Sequence, residues 1–291
     1  MIKQDQQQEE ILRGLLNSLA LLKDYHCPNC EVYGFLDSVA KAAVSNLFGE
    51  NTSQKADLSY LGKIDFPYFS MGAINSTHLF GLDELIIFSF YWSNRNRYKK
   101  VADLGANIGL HSVVMSHLGY QVTAYEPDPL HLSQLKDNVK RNCLENIPVL
   151  INKAVSVESG ELEFIRVVGN TTGSHLSGAK ENPYGELNKF IVEVDSFKTI
   201  CDTFDFLKID VEGHEADILL STTEENWQNT DAIVEIGSPS NAQKVFEYFS
   251  SAGINLFSQK TGWNQVSSLE DMPLSYKDGS LFISVKDAMP W

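Results

Sequence analysis

The stretch "VADLGANIGLHS", residues 101–112, decides how the rest of the chain is read. It begins as an apolar strand, turns through glycine, and opens a helix. A glycine turn of this kind brings bare backbone up to a ligand, with a helix N-terminus directly behind it. A dinucleotide fingerprint wants G-x-G-x-x-G, so that backbone meets a pyrophosphate. Here Asn107 stands where the second glycine would be, and the third is out of register. Asp103, Gly105, Asn107 and Gly109 instead spell D-x-G-x-N-x-G. An acid at the strand end attracts a cation and repels a phosphate. S-adenosyl-L-methionine (SAM) carries a sulfonium and an ammonium and no phosphate. The pattern therefore points away from NAD and towards SAM.

The next strand agrees. "VTAYEPDP", residues 122–129, ends with Glu126, 23 positions after Asp103. An acid at about that interval can accept both hydroxyls of a ribose. The adenine is then expected against the loop near Lys153–Ser156, with Ala154 among its backbone contacts.

From residue 100 onwards, strand-like and helix-like runs alternate, which predicts an α/β fold with a mostly parallel, doubly wound sheet. "INLFSQ" and "SLFISVK" close the chain as an antiparallel edge. Between "NKAVS" and "FLKIDV", "GELEFIRVV" and "KFIVEVDSF" look like extra strands around the polar loop "GNTTGSHLSG" (169–178). Residues 81–93 read as a helix with a broad apolar face. Residues 8–23 and 31–48 carry leucines at helical spacing and predict a helical hairpin. The expected division is an N-terminal helical extension, 1–60, and a domain of residues 61–291. The apolar stripe of the hairpin suggests a homodimer formed through these helices.

"DLGANIGLHS", "AYEPDP", "NKAVS", "KIDVEGHE" and "VEIG" occur in the order and spacing of the FkbM family of SAM-dependent methyltransferases, which this chain resembles over roughly residues 80–240. The resemblance implies a class I, Rossmann-like methyltransferase fold with a seven-stranded sheet. It also implies O-methylation of a hydroxyl on a sugar, glycan precursor or similar metabolite. It does not reach residues 1–60 and does not fix the acceptor.

"KIDVEGHE", residues 208–215, follows the apolar "FDFL" and packs charge into the end of what reads as the fourth strand. Ligands bind at the carboxyl ends of such strands. Asp210 is therefore placed where the SAM methyl should project, in contact with cofactor and acceptor alike. A hydroxyl must lose its proton as it attacks, and the candidates for that base are Asp210, Glu212, His214 and Glu235. Carboxylates so grouped can also hold a divalent cation that acidifies the hydroxyl, although no metal is predicted. Asn170, Ser174 and His175 are candidate contacts to a polyhydroxylated acceptor. His111 and His117 read as packing residues, and His78 as a neighbour of the cofactor pocket. Cys27 and Cys30 read as a structural turn, since zinc needs four ligands and only His26 is adjacent.

The net charge of −15 and the absence of a basic stripe exclude nucleic acid as a partner. No apolar run is long enough for a membrane span, and the polar "MIKQDQQQEE" does not read as a signal peptide. With only four cysteines, the expected location is the cytoplasm. Two other functions are compatible with such a fold: a non-catalytic scaffold and an NAD-dependent oxidoreductase. The intact set Asp103–Gly105–Gly109–Glu126 argues against the scaffold, which needs no cofactor pocket.

Overall fold

Alternate residues of the central strands enter different apolar clusters, and this two-sidedness organises the molecule. Val101, Phe206, Ile233 and Phe282 join one cluster. Their strand neighbours Ala102, Leu207, Val234 and Ile283 join the other. A strand covered on both faces reads as a near-continuous apolar run, interrupted here by Asp103 and Lys208. The computed structural model describes residues 2–143, 145–179 and 185–291.

The strands of the main sheet are β1 (Lys100–Leu104), β2 (Gln121–Tyr125), β3 (Val149–Ile151), β4 (Phe206–Ile209), β5 (Asp231–Glu235), β6 (Asn255–Ser258) and β7 (Ser280–Ser284). Their spatial order is β3-β2-β1-β4-β5-β7-β6. The two-residue strand Asn264–Gln265 extends the sheet past β6, making it eight-stranded where seven strands were expected. The pairs from β3 to β5 are all parallel, and β7 runs antiparallel to both β5 and β6. The chain moves outward in one direction from β1 and in the other from β4. The switch point of this doubly wound sheet therefore lies between β1 and β4, and ligands bind at the carboxyl ends there.

The helices are α1 (Ile2–Leu19), α2 (Glu31–Phe48), α3 (Leu82–Asn94), α4 (Leu110–His117), α5 (Pro129–Asn142), α6 (Phe197–Cys201), α7 (Glu215–Leu220) and α8 (Pro239–Ala252). Helices α3, α4 and α5 cover one face of the sheet, and α6, α7 and α8 the other. Sequence signals set several ends. Asp128 caps α5 by accepting from Leu130 N, with Pro129 at the first turn. Ser238 and Pro239 do the same for α8, and Gly253 ends it in a left-handed conformation.

Helices α1 and α2 pack against each other as the hairpin expected from the sequence, but not as a separate layer. Leu12, Leu16, Leu19, Val44 and Leu47 belong to the same apolar cluster as Val101, Val113 and Phe282. Burying each such side chain contributes roughly 1.5–3 kcal/mol. The stripe that suggested self-association is thus covered within a single chain. Polar groups pin the hairpin as well. His26 is fully buried, with Nδ1 accepting from Trp263 Nε1 at 3.0 Å and Nε2 3.0 Å from the Leu19 carbonyl. Burial lowers its pKa to about 4, so the ring is neutral and the proton sits on Nε2. The turn reading of Cys27 and Cys30 agrees with their bonds. Cys27 Sγ donates to the Lys260 carbonyl at 2.8 Å, and Cys30 Sγ caps α2 through Tyr33 N.

The run "PVLINKAVS" divides between two sheets. Its first half is β3, while Ala154–Ser156 opens a second sheet of order Ala154–Ser156, Leu187–Ser196, Gly160–Val167, His175–Leu176. The extra strands expected between β3 and β4 form this sheet, and its loops cover the carboxyl ends of β1, β2 and β4.

Candidate active site

A cleft opens at the switch point, lined by residues of both sheets. Gly105 and Asn107 of the glycine turn form its floor, with Tyr125, Glu126, Lys153, Ala154 and Val155 along one side. Asp210 and Glu212 stand at the β4 end, and Phe164, Thr171, Thr172, Ser174 and Leu176 come from the second sheet and its loop.

The turn residues have separate tasks. Gly105 has φ +78, and a Cβ there would lie 1.8 Å from the Asp210 carbonyl oxygen. Only glycine lets β1 pass the end of β4 this closely. Asn107 also adopts a left-handed backbone, φ 53, which asparagine tolerates better than most residues. Gly109 does not line the cleft. Its φ is +89, and a Cβ would meet Leu135 at 2.8 Å, so it seats α4 on α5.

Glu126 is 5% exposed and is bonded to the turn. Its Oε2 accepts from Asn107 N and its Oε1 from Asp128 N, both at 2.8 Å. Burial still pushes its pKa up to about 8 against these two donors. Each oxygen keeps a second lone pair for a ligand. Asp103 lies deeper, fully buried and off the cleft wall, with Oδ2 accepting from Ser112 Oγ at 2.6 Å. Among the described residues, two buried oxygens at the turn, Asp103 Oδ1 and Asn107 Oδ1, have no hydrogen-bond partner. Unsatisfied buried acceptors are costly and suit a ligand that brings N–H donors.

The charge of "KIDVEGHE" is divided among several roles. Lys208 Nζ lies 3.2 Å from Asp210 Oδ2. Burial disfavours the ammonium, but Asp210, Asp103, Glu84 and Glu235 around it hold its pKa above the usual lysine value. Glu212 lines the cleft with an uncommon left-handed backbone, φ 55. Glu215 latches the turn, accepting from Val211 N and Gly213 N, and burial raises its pKa to about 7. His214 faces away from the cleft, with Nε2 3.1 Å from Ser156 Oγ and Nδ1 3.2 Å from Asp217. Glu235 is set back from the cleft wall. Its pKa is raised well above the carboxylate range by burial and by the fields of Asp210, Glu212 and Glu84.

Of the candidate acceptor contacts, only Ser174 lines the cleft, where it also accepts from Val167 N. Asn170 pairs with Gly72 in an isolated bridge, and His175 donates from Nδ1 to the Gly173 carbonyl. His78 caps the short turn Ser76–Phe80, and His117 spans the Leu61 and Asn142 carbonyls. Among the described residues no group of three or more His, Cys, Asp or Glu side chains is placed to hold a metal ion.

Three features were missed by sequence reasoning. Arg166 makes a two-pronged bond to Asp128, both contacts at 2.6 Å, and ties the second sheet to the cap of α5. His131 reaches Thr171 across the same gap at 2.8 Å. His111 Nε2 lies 2.9 Å from Glu84 Oε2, within electrostatic reach of Lys208. Only Arg166 left a trace in the sequence, as the one basic residue of the strand Gly160–Val167, whose other charged residues are Glu161 and Glu163.

Residues 103–256 match the family model of the methyltransferase FkbM domain. The hexuronic acid methyltransferase AglP of Haloferax volcanii is 27% identical over 165 residues, which is 53% of this chain and 62% of that protein. The chain thus matches less than two-thirds of that relative. Among solved structures, a SAM-dependent methyltransferase from Agrobacterium tumefaciens shares 11% identity at a TM-score of 0.37, covering 70% of this chain and 62% of that one. Precorrin-6y C5,15-methyltransferase from Geobacter metallireducens shares 12% at the same score, covering 68% and 85%. These structural likenesses are loose, and the fold is defined by the strand order above.

Proposed function

The chain belongs to the FkbM family of methyltransferases, and we propose that it transfers the methyl group of SAM to a hydroxyl of a sugar, glycan precursor or similarly hydroxylated metabolite. The observation that carries the cofactor reading is the chemistry of the turn. Glu126 keeps lone pairs towards the cleft, and beside it Asn107 Oδ1 is, among the described residues, a buried acceptor without a donor. A ribose diol and an ammonium supply such donors, while a pyrophosphate would add further acceptors. The AglP relative supports a carbohydrate acceptor.

Bound SAM supplies an electrophilic methyl group on a sulfonium. The chain's own residues do the rest. Glu126 accepts the ribose hydroxyls. Lys153, Ala154 and Val155 would border the adenine, and the loop Thr171–Ser174 would cover it and exclude water. Asp210, at the β4 end, takes the proton of the acceptor hydroxyl on its carboxylate, and Lys208 orients that carboxylate from behind. Alignment of the acceptor contributes up to roughly 7–11 kcal/mol of the acceleration.

The test is a thermal shift followed by product mass. S-adenosylhomocysteine at 100 times its dissociation constant should stabilise the protein by about 2.7 kcal/mol. Incubation with SAM and a panel of glycosides should add the mass of one methyl group to a panel member. Stabilisation by NADH with none by S-adenosylhomocysteine would sink the proposal.

A further inference from the structure

The turn that follows β4 carries a residue that its backbone does not favour. Glu212 has φ 55 and Gly213 has φ 102, so two consecutive residues take positive φ. Such turns favour Asn–Gly or Asp–Gly, because a short polar side chain tolerates the left-handed region and glycine is indifferent to it. Glutamate is one methylene longer than aspartate and gains nothing from the turn. It is held there all the same. The Asp210 carbonyl packs against Gly105, with no room for a Cβ between them. Glu215 Oε1 accepts from Val211 N at 3.2 Å and from Gly213 N at 2.9 Å. Asn241 Nδ2 donates to the Gly213 carbonyl at 3.2 Å. An unfavoured backbone fixed from both sides in this way is strain kept for a function.

The place of the turn says which function. Val211 and Glu212 line the cleft together with Asp210. Glu126 lines it from the end of β2, and β1 with its glycine turn lies between β2 and β4. The ribose end and the β4 end are therefore opposite ends of one cleft. Glu212 belongs to the β4 end, two residues past the base Asp210. An acceptor that gives its proton to Asp210 must sit against the same rim. An ordinary solvated turn accounts neither for glutamate at this backbone nor for its place on the cleft wall.

We propose that Glu212 recognises the acceptor: its carboxylate accepts a hydrogen bond from the hydroxyl next to the one being methylated, which makes a vicinal diol the substrate class. This rests on the methyltransferase reading and adds to it the hydroxyl pattern that the acceptor must carry. Asp210 takes the reacting proton, and Glu212 fixes the ring through the neighbouring hydroxyl. The length of glutamate gives the reach that aspartate lacks at the same backbone. A hydrogen bond to a charged acceptor contributes about tenfold to a hundredfold in binding. An acceptor with a lone hydroxyl leaves the carboxylate without that donor and is disfavoured.

The experiment uses SAM with the methyl glucoside, galactoside and mannoside, and follows methyl gain by mass. The glycoside that reacts is then compared with its deoxy derivatives, each lacking one hydroxyl beside the methylated position. In the wild type, removing the recognised hydroxyl should lower kcat/KM by about tenfold or more. Glu212→Ala should lower kcat/KM for the full glycoside by a similar factor, and removing the hydroxyl as well should cost no more than about threefold further. Glu212→Asp keeps the charge and suits the turn but shortens the reach. It should lose kcat/KM by about tenfold while melting no more than about 1 °C below the wild type. S-adenosylhomocysteine affinity by calorimetry should stay within about twofold in both variants. The proposal is overturned if the wild type is indifferent to every neighbouring hydroxyl, or if Glu212→Asp keeps full kcat/KM. A tenfold loss of S-adenosylhomocysteine affinity also overturns it, since that would put Glu212 on the cofactor. A wild type that binds S-adenosylhomocysteine yet methylates none of the three glycosides refutes the sugar-acceptor reading and this role with it. One that binds no S-adenosylhomocysteine refutes the methyltransferase reading itself.

Discussion

Cofactor affinity should depend steeply on pH through one residue, Glu126. Its carboxylate is nearly enclosed, and burial raises its pKa to about 8 despite donors from Asn107 N and Asp128 N. Ribose hydroxyls donate to the ionised form, so the ligand binds that form and releases the proton held by the other. With a free-state pKa of about 8, roughly nine-tenths of Glu126 is ionised at pH 9, one-tenth at pH 7 and one-hundredth at pH 6. In the limit where only the carboxylate binds, the S-adenosylhomocysteine dissociation constant rises about tenfold from pH 9 to 7, and about ninetyfold from pH 9 to 6. Isothermal calorimetry across that range, in buffers of different ionisation enthalpy, reads both the affinity and the protons released. Binding should release nearly one proton per ligand between pH 6 and 7, and only about a tenth of one at pH 9. Glu126→Gln removes the titrating group, so its affinity should be weaker at pH 9 and flat in pH. If wild type and Glu126→Gln show the same pH slope, the group binding the ribose is not Glu126.

Replacing Asp210 by Asn should lower turnover by about 10²-fold or more while S-adenosylhomocysteine affinity changes little, because the residue acts on the acceptor's proton; full turnover would remove Asp210 as the base. Arg166→Ala strips the partner from Asp128, which is 1% exposed in its side chain, and should cost about 3 kcal/mol in urea unfolding. A loss below about 1 kcal/mol would mean that water replaces the arginine. Stability of the cofactor-free protein should fall as pH rises. Glu126 and Glu215 have folded pKa values of about 8 and about 7, raised from 4.5. Their contribution is complete below the unfolded value and is lost as pH climbs through the folded ones. Melting temperature should therefore decline between about pH 5 and 8, more shallowly in Glu126→Gln, and a flat or rising profile would contradict the burial of these carboxylates.

The sequence by itself determined the doubly wound sheet, its antiparallel edge and the positions of the glycine turn, Glu126 and Asp210. These follow from local physics. A strand buried on both faces must be mostly apolar, and the charges that interrupt such strands here, Asp103 and Lys208, lie near their carboxyl ends. A backbone passing the end of β4 at Gly105 must lack a Cβ. A carboxylate ending a strand at the switch point must meet a ligand or another charge. Tertiary structure alone decided which members of a charged run face the cleft. Asp210, Glu212, His214 and Glu215 sit within six positions, yet only the first two line it. The left-handed step at Glu212 turns the chain, so His214 meets Ser156 and Glu215 folds back onto the turn amides. Period-2 reasoning ends where the strand does. The same holds for contacts between segments distant in sequence. Arg166 with Asp128 and Glu84 with His111 are 38 and 27 positions apart, and no local pattern encodes such pairs. They exist because the second sheet folds over α5, and because α3 and α4 lie on the same face of the sheet. The hairpin of α1 and α2 shows the same division. Its leucine spacing predicts two helices, but an apolar stripe cannot say whether its own core or a second subunit will cover it. Here the cover is the chain's own core, and the hairpin also anchors the start of α3 through Tyr33 and Asp83, one residue before Glu84.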